Sequence, residues 1–412
     1  MNSIKNNKET PKLVYSIKEN DFIDDIPLID LKKVKDFGQL RFDDWKNMLI
    51  EGDNLSVIKT LLKEPSVAGR VKLIYIDPPF STNQEFRGGT SRTVSRSIED
   101  EIAYKDKLIG AEYIEFLRKR LILLKDMLAD DGSIYVHIDC KIGHYVKVLM
   151  DEIFGRKQYI NDITRIKCNP KGSKRKAYGN MKDMILFYSK SSHYVWNESR
   201  EKFREEDIQR LFQKIDKDGR RYTTLPLHGP GETRNGPTGR PWKGVSPPKG
   251  SHWQYCPEKL DRLDKQGLIE WSSTGNPRRK YYAEEALIKG KKRQDIWEFK
   301  DPAYPSYPTE KNLKMLKMII EASSNDDSLV LDCFAGSGTT LVAAEELKRR
   351  WIGIDDSRLA IEEAQKRLLA IKEISAFIVY KTEVNIKEVK DEPVDRKEYR
   401  NRKFAGIFGQ TP

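Results

Sequence analysis

Cysteine is scarce in this chain: Cys140, Cys168, Cys256 and Cys333 are the four in 412 residues, and they stand far apart. No Cys-x-x-Cys or His-Glu-x-x-His spacing occurs, so neither a disulfide framework nor a zinc site is indicated. The five histidines are scattered and outline no metal cluster; no metal is expected. His137, following Ile134-Tyr135-Val136, reads as a strand-end residue rather than a catalyst. No apolar run reaches the roughly 18 residues of a membrane-spanning helix. The start, Met1-Asn2-Ser3-Ile4-Lys5, lacks the apolar segment of a secretion signal, so a cytoplasmic location is expected. There is no internal repeat. With 38% hydrophobic and 33% charged residues, the chain is expected to fold around a sizeable core in roughly two to three domains.

What is abundant is positive charge. The net charge is +12, which makes a polyanion partner plausible. The excess is local. Between Arg156 and Lys182 stand nine Lys/Arg and one Asp, and between Asn276 and Arg293 seven Lys/Arg and two Glu. Either segment alone reads equally as a solvated basic face. Both carry tyrosine and glycine among the charges, as phosphate-contacting loops do.

Two motifs carry chemistry. Val71-Lys72-Leu73-Ile74-Tyr75-Ile76 reads as a buried strand that ends in Asp77-Pro78-Pro79-Phe80. Two prolines cannot donate ladder hydrogen bonds, so they stop the strand in a stiff turn. Asp77 offers an acceptor, Pro78 a carbonyl and Phe80 a flat stacking surface, which suits a planar group bearing an amine. A plain strand-ending turn is the rival reading. Far downstream, Leu329-Val330-Leu331-Asp332 runs into Cys333-Phe334-Ala335-Gly336-Ser337-Gly338, then into the helical Leu341–Leu347. A strand, a glycine turn and a helix form a nucleotide-type site, and Asp355, ending the next strand, suits a ribose hydroxyl pair. Thr339 and Thr340 stand where the dinucleotide fingerprint has its third glycine. That fits an adenosine ligand without a pyrophosphate and points to S-adenosylmethionine. Asp332 and Asp53 are secondary candidates, although Asp53 also reads as the cap of a helix over Leu55–Leu62.

Residues 1–40 are polar and read as a loosely ordered lead-in. Residues 41–190 and 301–381 carry regular α/β pattern, including a helix over Glu112–Leu128, a strand over Ser133–Ile138 and a helix over Lys141–Phe154. Residues 81–107 read as a mobile loop beside the tetrad. Between 191 and 300, glycine, proline and tryptophan are dense and periodicity is poor. Trp242, Trp253, Trp271 and Trp297 favour a folded insertion over a disordered linker. The tail, 382–412, reads as peripheral.

Taken together, these residues resemble the β class of amino-methyltransferases of DNA. Asp77-Pro78-Pro79-Phe80 is similar to that family's catalytic motif. Phe334-Ala335-Gly336-Ser337-Gly338 is similar to its cofactor motif, and the order, catalytic motif first, is the β-class order. Pro308-Thr309-Glu310-Lys311 resembles the segment before the cofactor strand, with Asn312 where the family carries proline. Glu51-Gly52-Asp53-Asn54 resembles its turn near the cofactor adenine. The pattern is closest to adenine-N6 methylases and type III modification subunits. The resemblance implies a circularly permuted, Rossmann-like, mostly parallel α/β fold with an irregular target-recognition domain over 191–300. It implies S-adenosylmethionine held by Asp53, Thr309, Lys311, Asp332, Phe334, Gly336, Gly338 and Asp355, with Asp77, Pro78, Pro79 and Phe80 at the transfer. Double-stranded DNA is the implied partner, with a restriction endonuclease subunit or a second copy as further partners. An aspartate at the head of the tetrad implies adenine as target; cytosine N4, another amine, or a non-enzymatic DNA-binding role are the alternatives.

Overall fold

The computed structural model describes residues 10–383 except 20–21, 41–42, 80–83, 88–101, 107, 109, 171–175, 234, 304, 306 and 308–309. Two compact units form: Met1–Asn197 with Asp295–Pro412, and Glu198–Gln294.

In the larger unit the described residues build a ten-stranded sheet. Its strands are β1 (Asp30–Phe37), β2 (Asn47–Glu51), β3 (Val71–Ile76), β4 (Leu128–Ile138), β5 (Tyr159–Ile166), β6 (Lys182–Ser189), β7 (Ile296–Glu298), β8 (Leu329–Asp332), β9 (Arg350–Asp355) and β10 (Phe377–Glu383). Their order in space is β1-β10-β2-β9-β8-β3-β4-β6-β5-β7. Pairing is parallel from β10 across to β4, and again between β5 and β7. β1 and both sides of β6 pair antiparallel.

The two-residue strand period explains the layers. Ile74 and Ile76 join a core with α1 (Asn54–Leu61), α2 (Gly110–Met127) and α3 (Cys140–Phe154) on one face. Leu73 and Tyr75 join the opposite core with α4 (Leu313–Ser323), α5 (Thr339–Glu346) and α6 (Arg358–Leu369). With both faces covered, strands such as β3 and β8 are apolar almost throughout. This is the mostly parallel, permuted α/β fold that the motifs imply.

The permutation places the site. β3 continues through α2 to β4 on one side, whereas β8 continues through α5 to β9 on the other. β3 and β8 are themselves neighbours, with Leu331 beside Ile74. Their junction is therefore the switch point of the sheet, and open α/β sheets have their ligand crevice at such a point, outside the strand carboxyl ends.

Several expectations need correction. The lead-in is not loose throughout: Phe22, Ile26 and Ile29 are buried in the core, and β1 pairs along β10 as an edge strand. Its sequence, DLKKVKDF, hides this because lysines on an exposed edge replace the apolar alternation of a covered strand. Trp297 belongs to β7 of the large sheet, not to the insertion. The smaller unit is also more regular than its composition indicates. Its residues 214–215, 221–226, 277–282 and 269–271 form a four-stranded antiparallel sheet in that order. Leu227, Trp242, Trp253, Leu260 and Ile269 fill its core, and Trp271 stacks on Trp242 at 5.6 Å. The loop expected over 81–107 falls largely outside the described residues, as does the tail beyond 383; Gln84–Arg87 and Ile102–Asp106 pair antiparallel. No described helix is long and apolar enough to cross a membrane.

Candidate active site

Asp77 leaves the end of β3 with both carboxylate oxygens largely covered, and the two differ. Oδ2 is ion-paired with Lys311. Oδ1 is buried and accepts no hydrogen bond among the described residues. A buried carboxylate oxygen without a donor costs free energy, and native structures hold few of them. Pro78, next in the turn, is buried and Pro79 half-buried. Phe80 lies outside the described residues.

Lys311, which the resemblance gives to the cofactor, is ion-paired with Asp77. Asn312 explains its placement. The Asn312 side chain caps α4, accepting from the N–H groups of Lys314 and Met315, and donates to the Lys300 carbonyl. Where the family has a proline, this chain starts the helix with an asparagine cap. Thr309 lies outside the described residues.

Across the crevice, the turn after β8 is tied by two carboxylates. Asp332 is buried; it accepts from the Phe334 N–H at 3.0 Å and the Thr340 hydroxyl at 2.6 Å. Asp355, half-buried at the end of β9, accepts from the N–H groups of Gly336 (2.8 Å) and Ser357 (3.0 Å). Gly336 has φ +50° with nothing nearer to a Cβ position than Tyr307 at 3.9 Å, so it leaves open room for a ligand. Gly338 differs. At φ +72°, its Cβ would stand 2.7 Å from the Cβ of Ala364 on α6, so it serves helix packing. Arg367 of α6 braces the turn from outside, donating to Ser337 and Thr339 and pairing with Glu310. Phe334 is half-buried, 6.0 Å from Phe116.

Asp53 does cap α1, accepting from the Ser56 N–H at 3.0 Å, and its other oxygen meets Arg120 at 2.9 Å. Arg120, buried in α2, also holds Asn54 at 2.5 Å, and Asn54 donates to the Cys333 carbonyl at 2.6 Å. One arginine thus links the two turns that flank the crevice. Sequence reading passed over Arg120 and Arg367, because each sits on an amphipathic helix where an arginine reads as surface.

Burial raises the Asp332 carboxyl to about 7 and the Asp355 carboxyl to about 6. The folded state therefore holds the Asp332 proton more tightly than the unfolded chain does. Its contribution to stability is full below about pH 4 and is lost as pH rises through about 7, a few kcal/mol in all. Asp332→Asn should accordingly melt at a temperature that gains on the wild type between pH 4 and pH 7. A constant difference across that range would contradict the assignment.

Behind Asp77 lies a buried polar row that sequence reading missed entirely. His137 stands next to the end of β4, as the sequence indicates, and is wholly buried. Its Nδ1 meets the Tyr75 hydroxyl at 2.7 Å, and its Nε2 meets Asp183 of β6 at 3.2 Å. Asp183 also accepts from Arg165 of β5 (3.4 Å) and Lys167 (2.5 Å), and Arg165 reaches Asp301 and the Phe299 carbonyl. Burial alone would raise the Asp183 carboxyl, but the His137 hydrogen bond and the Lys167 charge hold it well below the usual range. Burial pushes His137 down, so its ring is neutral near pH 7.

The basic segments are less free than their composition indicates. Arg165 is buried in this row, and in the smaller unit Arg279, Lys291, Lys292 and Arg293 are ion-paired with glutamates or aspartates. No group of three or more metal-ligating side chains converges among the described residues.

Residues 71–366 match the sequence profile of a DNA methylase family of N6/N4 type. The chain is 47% identical over 327 residues to the type II methyltransferase M.EcaI of Enterobacter cloacae, covering 78% of this chain and 69% of that one. It is 26% identical over 396 residues to the probable type III restriction-modification enzyme HindVI Mod subunit of Haemophilus influenzae, covering 78% of this chain but half of that subunit. Among solved structures, the PvuII DNA methyltransferase (cytosine-N4-specific) aligns over 80% of this chain and 89% of its own at 13% identity, with a TM-score of 0.44.

Proposed function

The chain belongs to the DNA methylase family of N6/N4 type, and from that premise we propose that it methylates the exocyclic N6 of adenine at specific sites in duplex DNA. The observation that carries this reading is the buried Oδ1 of Asp77, without a donor among the described residues, at the end of the strand beside the one that ends in the glycine turn at the switch point of the sheet. The methyl donor is S-adenosylmethionine, and the residues present fit it. Phe334 offers a half-buried ring to an adenine, Asp355 keeps acceptor capacity for a ribose diol, and Gly336 leaves room for close approach. When bound, S-adenosylmethionine supplies an electrophilic methyl group on a sulfonium sulfur.

The chain supplies the rest. The target amine is out of reach inside a base pair, so the base leaves the stack and enters the crevice. Asp77 Oδ1 and the Pro78 carbonyl accept the two amine hydrogens and turn the nitrogen lone pair outward. Phe80 is the stacking surface that the tetrad implies. Catalysis rests on orientation and fixed charge, without a covalent intermediate. Buried Cys333 has its thiol pushed well up by burial, which suits no nucleophile. The leading aspartate favours adenine over cytosine, on the resemblance to adenine-acting members. Residues 198–294 form the unit that reads the DNA sequence, and a restriction endonuclease is the partner such an enzyme protects against.

The test is methylation of unmodified plasmid DNA with labelled S-adenosylmethionine, followed by nucleoside mass spectrometry. N6-methyladenine is the expected product. N4-methylcytosine would move the target to cytosine, and no modified nucleoside would overturn the reading.

A further inference from the structure

The geometry points to His137 as a positioning residue: it draws the Tyr75 hydroxyl proton to its own Nδ1 and so keeps Asp77 Oδ1 open for the amine of the target base. This rests on the methylase reading of the site. The argument runs through one ring. Asp183, an anion, can only accept, so at 3.2 Å it requires the hydrogen of His137 on Nε2. The neutral ring then presents a lone pair at Nδ1, and the hydroxyl of Tyr75, 2.7 Å away, is the donor. The same Nδ1 stands 3.9 Å from Asp77 Oδ1. Tyr75 and Asp77 therefore flank one nitrogen, and the proton goes to the nitrogen.

The alternatives show why this matters. An Nδ1–H tautomer, or an imidazolium, would turn a donor toward Asp77 Oδ1 and compete with the base. An apolar side chain at 137 would strip Tyr75 of its acceptor and free its hydroxyl to turn to the Asp77 carboxylate, two residues further along the chain and on the other side of the same nitrogen. The charged groups around the ring hold the first arrangement. Asp183 anchors Nε2, Arg165 and Lys167 keep Asp183 ionised, and Lys311 occupies only the Oδ2 side of Asp77. The period of two along β3, β4, β6 and β5 puts Tyr75, His137, Asp183 and Arg165 on one face of the sheet, with Arg165 directly opposite Asp183.

The test is a double-mutant comparison in the full-length protein with a spectroscopic control. His137→Phe should lower kcat about 50-fold, with the KM for DNA and the calorimetric affinity for S-adenosylmethionine changed less than threefold. Adding Tyr75→Phe to it removes the competing hydroxyl and should recover about tenfold of the lost kcat. A merely structural role makes the double variant equal to or worse than the single one, and that result, or a His137→Phe kcat within threefold of wild type, overturns the proposal. His137→Asn, which keeps a donor and an acceptor, should lose less than His137→Phe. Nitrogen-15 NMR of the wild-type imidazoles reads the tautomer without any variant. At neutral pH a hydrogen on Nε2 alone is expected, and one on Nδ1 overturns the inference. If wild-type protein transfers no methyl group, it is the methylase reading that fails, while the tautomer is still decided by NMR.

Discussion

Asp77→Ala is expected to lower methyl transfer about a thousandfold while methyl-donor affinity stays within a few-fold of wild type. The two oxygens of the carboxylate differ: Oδ2 takes Lys311, and Oδ1 is buried without a donor among the described residues. Removing one preorganised hydrogen-bonding partner of a reacting group costs about 10²–10³ in rate. Alanine does this and also deprives Lys311 of its counter-ion, which disorders the same corner. The loss belongs to the chemical step, because the glycine turn is tied by Asp332, Asp355 and Arg367 instead. Single-turnover transfer of labelled methyl groups separates that step from binding. A rate within tenfold of wild type would sink the assignment of Asp77. Asp77→Asn should fall between, since an amide oxygen can accept while its nitrogen opposes Lys311.

The second large effect is on stability. Asp183→Ala is expected to reduce the free energy of unfolding by about 3–5 kcal/mol, the cost of leaving buried charge without its partner. Asp183 is almost wholly buried and serves His137, Arg165 and Lys167 together; Arg165 is wholly buried itself. Among the described residues alanine leaves the arginine Asp301 and a carbonyl, and it removes the carboxylate that Nε2 of His137 meets. Asp183→Asn should cost less, as its oxygen still accepts. Urea denaturation followed by circular dichroism measures both. A midpoint for Asp183→Ala equal to that of wild type would show that the row bears no weight in the fold.

The tetrad and the glycine turn were legible because their signals are local. Two prolines stop a strand wherever they stand, and a strand running into Gly336 and Gly338 has few ways to turn. The helices over 110–127 and 140–154 were legible from apolar periodicity alone. β1 was not, because an exposed edge strand needs no apolar face. The buried row was not, because Tyr75, His137, Asp183 and Arg165 lie on four strands, and each reads as one polar residue in or beside an apolar run. The same blindness made Arg165 look like part of a basic surface.

From the sequence alone came the kind of chemistry: an acceptor, a carbonyl and an aromatic ring in one turn, and a nucleotide-type turn in another, in permuted order. Such motifs are short because they are governed by backbone sterics within a few residues. Only the tertiary structure brought β3 beside β8, gave Lys311 to Asp77, and lined up a buried histidine behind them. Sheet register decides those meetings. It is a property of whole strands packing into a common core, which no short stretch of sequence specifies.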